Sequence, residues 1–319
     1  MTIPPYLKQG STIGITCPSS YVPLERIQYA ASVLQSKGYK TLFGKTCGTQ
    51  FNYFSGTDEE RLADLQSMLD NPDVDAILMG RGGYGMGRLI DHLDFTAFKA
   101  KPKWVCGFSD IIILQNHIQA NFNIPVLHSP MCNAYKEETI NSLHLQSFFD
   151  AITGNPLSYE FPASNYNRTG NAEGILTGGN LAILAHLTGS TSEVDTTNKI
   201  LFIEDIGEVF YNIDRLMINL KRAGKLDKLS GLIVGGLTDL TDTERPFGKT
   251  PEQIICDSIK EYNYPVCFNF PTGHIDINYT LTLGMQHRLS ITANGSKLEL
   301  VKWLSIHLLP ISHTTTQVV

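Results

Sequence analysis

The chain has 319 residues, of which 42% are hydrophobic and 18% charged, and its formal net charge is −6. This composition is typical of an ordered globular protein with a substantial core, and the length predicts two domains. The acidic balance, with no basic block, argues against nucleic acid and anionic membrane surfaces as partners.

The first half of the chain alternates short apolar strands with amphipathic helices. Strands are predicted at 12–16, 76–79, 104–106 and 125–127, and helices at 24–37, 58–69, 110–120 and 137–152. Alternation of this kind predicts a parallel sheet covered on both faces. Residues 1–153 are therefore predicted to form an α/β, Rossmann-like domain.

The second half has a different organisation. Residues 154–172 are rich in Asn, Pro, Ser, Tyr and Gly, have no helical period, and are predicted to connect two domains. Residues 173–305 mix helices with short strands, and Asn294-Gly295 predicts a tight hairpin turn. We expect a smaller C-terminal α+β domain there, rich in antiparallel strand, and a loose tail over 306–319.

A serine lies between a predicted strand and a predicted helix. Ser109 follows the apolar run 104–106 and Gly107, and a helical pattern starts at Asp110. This is the geometry of a nucleophile elbow, in which a glycine lets the turn close and the helix start leaves backbone N–H groups free. Ile111 stands where the motif Gly-x-Ser-x-Gly has its second glycine, and the fragment also fits a helix N-cap. The residues alone leave both interpretations open.

A glycine loop over residues 80–87 follows the predicted strand 76–79, and a helical pattern follows it from about Met86. Such a loop exposes N–H groups that bind a phosphate or a transient oxyanion. Gly80, Gly82 and Gly85 also match the dinucleotide fingerprint, but that pattern is short and the loop does not follow the first strand. We predict an anion cradle and keep a dinucleotide-dependent oxidoreductase as an alternative.

Acidic residues and a histidine follow strands in the second half. Glu204 and Asp205 come at the end of the apolar strand 199–203, where α/β folds place their chemistry. His274 lies on a loop at another strand end. The pattern does not separate Glu204 from Asp205 or Glu208 as the acid. The chain order serine, acid, histidine is that of α/β-hydrolases.

Six short motifs occur together and in order. They are Arg81-Gly-Gly-Tyr-Gly85, Gly107-Phe-Ser-Asp110, His128-Ser-Pro-Met131, Gly174-Ile-Leu-Thr-Gly-Gly-Asn180, Phe202-Ile-Glu-Asp205 and Phe270-Pro-Thr-Gly-His274. With these motifs the chain resembles the LD-carboxypeptidase family of serine peptidases, which includes the microcin C immunity proteins. The resemblance runs over residues 10–302.

The resemblance implies a role for each site residue. Ser109 corresponds to the family's nucleophile, and Glu204 and His274 complete its triad. Backbone N–H groups of Asp110 and Gly83 are implied to form the oxyanion hole. One departure is Ser129, which stands where the family commonly has a glycine, and it leaves the shape of that loop open.

The family's usual reaction removes the terminal D-alanine from the L-centre of a muropeptide tetrapeptide during cell-wall recycling. The immunity proteins instead cleave a peptidyl or aminoacyl nucleotide and stack an aromatic residue on its adenine. Residues 173–177 contain no tryptophan, which favours the muropeptide. Arg81 and Arg88 are candidate anchors for a substrate carboxylate, and His128, at a strand end, is a candidate substrate contact.

The remaining features concern cofactors and compartment. The six cysteines form no Cys-x-x-Cys pair, which favours free thiols in a reducing compartment. Residues 1–20 lack a signal-peptide pattern, and no apolar run approaches the roughly 20 residues that span a bilayer. We therefore expect a cytoplasmic enzyme without metal or other cofactor, acting on a small peptide, and a homodimer is among the assemblies considered. A catalytically silent two-lobed binding protein is the remaining alternative.

Overall fold

The computed structural model describes residues 1–301, so the predicted tail 306–319 and residues 302–305 lie outside the described residues. The strands of the first half are β1 (Thr12–Thr16), β2 (Lys40–Phe43), β3 (Ala76–Met79), β4 (Trp104–Gly107) and β5 (Val126–His128). Those of the second half are β6 (Ser158–Pro162), β7 (Gly170–Asn180), β8 (Ile200–Ile206), β9 (Gly231–Thr238), β10 (Val266–Cys267), β11 (Leu281–Leu283), β12 (Gln286–Ile291) and β13 (Gly295–Leu300). The helices are α1 (Leu24–Ser36), α2 (Asp58–Asp70), α3 (Thr96–Ala100), α4 (Ile112–Phe122), α5 (Leu143–Thr153), α6 (Leu181–Leu187), α7 (Phe210–Arg222) and α8 (Pro251–Ser258).

The first sheet has the strand order β11-β5-β4-β3-β1-β2, and β1 to β5 pair in parallel. Strands β3 and β4 are buried at every residue, as expected for continuous apolar runs in a sheet covered on both faces. Parallel strands end at a common edge. The loops that follow β1, β3 and β4 therefore meet there. These loops carry residues 17–20, the glycine loop and Ser109, respectively.

The second sheet has the order β10-β9-β8-β7-β12-β13-β6 and is mixed. Strands β7 to β10 pair in parallel, whereas β12, β13 and β6 are antiparallel additions. The hairpin of β12 and β13 forms at the predicted Asn294-Gly295 turn. The α/β class with a mostly parallel first sheet and a second sheet rich in antiparallel strand is thus confirmed.

Two connections differ from expectation. The predicted connection 154–172 contains β6, which pairs with β13, because residues 158–162 alternate exposed and buried side chains as a strand does. Strand β11, predicted as part of the C-terminal domain, pairs antiparallel with β5 in the first sheet. The boundaries 1–153 and 173–305 consequently stay a prediction.

Three helix starts also differ. The helix expected from residue 137 begins only at Leu143, after the N-cap Ser142. The helix expected from Asp110 begins as a 3-10 turn over Ser109–Ile111 and continues as α4. The helical stretch expected from Met86 is two short 3-10 turns, Met86–Arg88 and Ile90–His92.

Candidate active site

Ser109 sits on a strained turn between β4 and α4. Its φ is +63°, in the left-handed region that non-glycine residues seldom occupy. A side chain at Gly107 would approach Met79 Cγ to 3.1 Å, so the glycine permits the close packing of the turn. The N-cap of α4 is Ile111, and the Ser109 hydroxyl contacts a histidine instead. The N-cap interpretation is therefore not the one that the structure adopts.

The three residues expected to form a triad are in hydrogen-bond contact. His274 Nε2 lies 3.1 Å from Ser109 Oγ, and His274 Nδ1 lies 2.6 Å from Glu204 Oε2. The backbone N–H of His274 donates to the same carboxylate oxygen at 3.1 Å. Glu204 is fully buried near the end of β8, and His274 follows β10 on a loop at the same edge of the second sheet. This is the geometry of a nucleophile, a base and a group that orients the base.

The structure separates the two adjacent acids. Asp205 does not bond His274 and instead accepts hydrogen bonds from Asn180 Nδ2 at 2.8 Å and from the Ala182 N–H at 2.9 Å. It therefore fixes the start of α6. Glu208, the third acidic candidate, bonds the side chain of Asn212. Glu204 is the acid that contacts the histidine.

The electrostatics suit a histidine base. Burial lowers the pKa of His274, but the hydrogen bond and the charge of Glu204 outweigh it, and the pKa is raised overall. Burial raises the pKa of Asp205 to about 6, against its hydrogen bonds. The two neighbouring carboxylates thus differ in their partners, since Glu204 bonds His274 and Asp205 bonds Asn180.

The glycine loop (residues 80–87) packs against the serine turn. A Cβ at Gly82 would lie 2.9 Å from Ser109 Cβ, and one at Gly83 would lie 2.0 Å from Ser20 Oγ. Within residues 1–301, the N–H groups of Gly83 and Asp110 donate to no other group. Both amides are therefore available to an oxyanion beside Ser109.

The same loop does not support a dinucleotide site. It follows the third strand of the first sheet and leads into 3-10 turns, so it lacks the long helix whose N-terminus holds a pyrophosphate. The alternative of a dinucleotide-dependent oxidoreductase loses its structural basis here.

A cleft of about 750 Å³ opens above Ser109 and His274. Besides these two it is lined by Arg81, Gly82, Gly83, Phe108, Met131, Asn133, Ala134, His144, Ile206, Thr238, Gly273, Ile275, Asp276 and Asn278. His144, the second residue of α5, is one of these lining residues. Arg88 pairs with Asp58 on the surface and is not among the lining residues.

His128 does not line the cleft, which corrects the expectation of a substrate contact. Its ring is fully buried, with centroids 5.4 Å from Phe108 and 5.2 Å from Phe202. Burial lowers the pKa of His128 to about 4. Being at the end of β5 brings it near the site, but the aromatic rings cover it.

No group of three or more His, Cys, Asp or Glu side chains in residues 1–301 is arranged to hold a metal ion. None of the helices in this part of the chain is long and apolar enough to cross a membrane. That the enzyme works without a metal ion stays a prediction.

Activity is expected to survive extensive chelation with EDTA and to need no added nucleotide. Ser109, His274 and Glu204 supply a nucleophile, a base and an orienting acid, so the proton transfers require no cation. Hydrolysis of a peptide substrate before and after chelation measures this. Activity that disappears in EDTA and returns with zinc would overturn the metal-free mechanism.

Substituting Gly83→Val is expected to lower kcat by roughly 10²- to 10³-fold and to change KM far less. Gly83 has φ +101°, and a side chain there would overlap Ser20, so the donor amide must shift. Gly189→Val is the matched control, because Gly189 also has positive φ but open space around it. Both variants are assayed for kcat, KM and NAD(H) binding. An unchanged kcat in Gly83→Val would remove the glycine loop from the mechanism.

Comparison with known proteins gives consistent matches along the chain. A family model described as the LD-carboxypeptidase N-terminal domain matches residues 13–129, and the corresponding C-terminal domain model matches 173–289. The probable murein peptide carboxypeptidase of Bacillus subtilis is 31% identical over 299 residues, covering 93% of this chain and 94% of the relative. The microcin C7 self-immunity protein MccF of Escherichia coli is 28% identical over 315 residues, covering 88% of this chain and 90% of the relative. The crystal structure of muramoyltetrapeptide carboxypeptidase from Oxalobacter formigenes matches with a TM-score of 0.83 and 28% identity, covering 92% of this chain and 99% of that structure's chain.

Proposed function

Because this chain belongs to the LD-carboxypeptidase family and is a serine peptidase, we propose that it removes the terminal D-alanine from muropeptide tetrapeptides. The contact of Ser109 with His274 at 3.1 Å, inside a cleft large enough for a short peptide, is the observation that carries the proposal. The names of the Bacillus and Oxalobacter proteins support the choice of a muropeptide.

The proposed reaction begins with attack of Ser109 Oγ on the carbonyl carbon of the scissile peptide bond. His274 Nε2 takes the hydroxyl proton, and Glu204 holds the imidazole in the required tautomer and stabilises its charged form. The N–H groups of Gly83 and Asp110 bind the oxygen of the tetrahedral intermediate. His274 then gives its proton to the leaving amine of D-alanine. Water, activated by the same histidine, hydrolyses the acyl-enzyme.

Arg81 is the proposed anchor for the C-terminal carboxylate of the substrate. Among the described residues that line the cleft it is the permanently charged cation, and its guanidinium also donates to the Tyr21 carbonyl at 3.1 Å. A carboxypeptidase needs such a partner, because the free carboxylate distinguishes its substrates from internal peptide bonds.

Arg81→Gln is expected to raise KM for a tetrapeptide with a free C-terminus by about tenfold to a hundredfold, the range for losing a charged hydrogen bond. KM for the C-terminal amide of the same peptide should hardly change. Arg88→Gln is the control, because Arg88 is occupied by Asp58 outside the cleft. If Arg81→Gln raises KM equally for the tetrapeptide and for its C-terminal amide, Arg81 does not anchor the carboxylate.

A second candidate is hydrolysis of an aminoacyl or peptidyl nucleotide, favoured by the similarity to MccF. Residues 173–177, which carry no tryptophan, lie within β7 here. Assaying a muropeptide tetrapeptide beside an aminoacyl sulfamoyl adenosine tests the two substrates directly. Turnover of the tetrapeptide alone supports our proposal, and turnover of the nucleotide alone replaces it.

The proposed setting is cell-wall peptide recycling in the cytoplasm. Supporting it, all six cysteines are free. Cell fractionation tests the compartment. A homodimer is the proposed assembly, and sedimentation velocity tests it.

A further inference from the structure

Asp110 has a buried carboxylate that the proposed mechanism does not use. It is 3% exposed, and its Oδ2 accepts hydrogen bonds from Ser19 Oγ at 2.6 Å and from the Met86 N–H at 2.7 Å. Burial raises the pKa of Asp110, and these two hydrogen bonds oppose that shift. A buried carboxylate is retained only with such partners, so the three groups form one unit.

The two partners belong to the segments that shape the oxyanion site. Met86 lies near the end of the glycine loop, and Ser19 precedes Ser20 in the loop after β1. Ser20 in turn holds the glycine loop twice, through its N–H to the Gly82 carbonyl and through Oγ, which accepts from the Tyr84 N–H, both at 3.2 Å. The carboxylate therefore ties the serine turn to the loop at Met86, and Ser20, the neighbour of Ser19, holds the loop on both sides of Gly83.

A buried arginine also bonds the backbone of both loops. Arg61 is fully buried, and its guanidinium donates to the carbonyls of Pro18, of Gly85 at 3.4 Å and of Gly56 at 3.3 Å. It also lies 4.5 Å from the ring centroid of Phe54. Arg61 is brought there by α2, whose N-terminal capping box fixes the helix start.

We propose that Asp110 and Ser19 are positioning residues, whose hydrogen bond sets the distance between the Ser109 hydroxyl and the oxyanion-binding amide of Gly83. Ser109 holds a strained backbone, and such a conformation persists only where its surroundings determine it. Asp110, the next residue, supplies that restraint. The inference rests on the serine mechanism proposed above.

The test compares Ser19→Ala, Asp110→Ala and Asp110→Asn in the full-length enzyme. We expect kcat to fall about tenfold in Ser19→Ala and up to about 10²-fold in Asp110→Ala, with KM within about twofold, because a small misplacement acts on the transition state. Asp110→Asn keeps an oxygen acceptor and should recover most of the loss. Ser192→Ala is the control. Ser192 is also a buried serine, its Oγ lies 3.0 Å from His117 Nδ1, and it does not line the cleft, so the kcat of this variant should stay unchanged.

The rate of Ser109 labelling by a fluorophosphonate supplies a readout that does not depend on the natural substrate. Attack forms the Oγ–P bond, fluoride leaves and His274 takes the proton, so the labelling rate should fall with kcat in each variant. If wild type labels but does not cleave the tetrapeptide, the proposed substrate fails while the positioning role is still measured. A Ser19→Ala enzyme with wild-type kcat and labelling rate would overturn the inference, whether or not Asp110→Ala folds.

Discussion

Replacing Ser109 with alanine is expected to lower kcat by on the order of 10⁴-fold or more while leaving the thermal unfolding temperature nearly unchanged. Ser109 is half-buried and lines the cleft, and its hydroxyl contacts His274, so the loss of the hydroxyl creates no cavity and removes little packing. What disappears is the atom that bonds the acyl group. Steady-state kinetics beside thermal unfolding measure the two effects separately.

Ser192→Ala serves as the control for Ser109→Ala as well, because it removes a hydroxyl from a site remote from the cleft. Fluorophosphonate labelling should be lost only in Ser109→Ala. If that variant keeps activity within tenfold of wild type, the serine mechanism is wrong.

Glu204→Gln is expected to reduce kcat by on the order of 10²- to 10⁴-fold. Glu204 Oε2 accepts from both the ring and the backbone N–H of His274, and the glutamine oxygen can take the same place, so the substitution keeps the shape of the contact. What the substitution removes is the negative charge that stabilises the imidazolium.

The pH dependence of the same variant has a definite sign. Glu204 raises the pKa of His274, so wild-type kcat/KM should fall as the pH drops through that raised value, because a protonated histidine is no base. In Glu204→Gln the acid limb of residual activity should move to lower pH. An acid limb that stays in place would argue that Glu204 does not set the charge of His274.

Asp205→Asn is the matched control for the acid. Asp205 holds the first turn of α6, so its substitution should lower the unfolding temperature and leave most of kcat. If Asp205→Asn costs more kcat than Glu204→Gln, the assignment of the acid is reversed.

Local pattern was sufficient to predict several parts of this molecule. The apolar runs of β1 and β3 have the predicted bounds, and the serine turn and the glycine loop meet because they end neighbouring parallel strands. These are properties of short segments and of one sheet edge. Family resemblance then supplied the choice of Glu204 over Asp205.

Other features depend on contacts distant in sequence. The choice between Glu204 and Asp205 depends on which face of β8 meets His274, and the pairing of β8 with β9 shifts register between Ile203 and Asp205. The burial of His128 depends on Phe202, a residue of the other sheet. Strand β6 was missed although its alternating side chains carry a signal, because Pro162 and the surrounding polar residues indicated a loop.

The antiparallel pairing of β11 with β5 also bears on synthesis. A ribosome releases the chain from its N-terminus, so the edge of β5 has no partner strand until Leu281–Leu283 emerges. An unpaired strand edge invites pairing with other chains, so the nascent first half stays open to aggregation at β5 until β11 has paired with it. Glu204 and His274 follow Ser109 in the chain, so the nascent chain holds its serine before it holds the acid and the base.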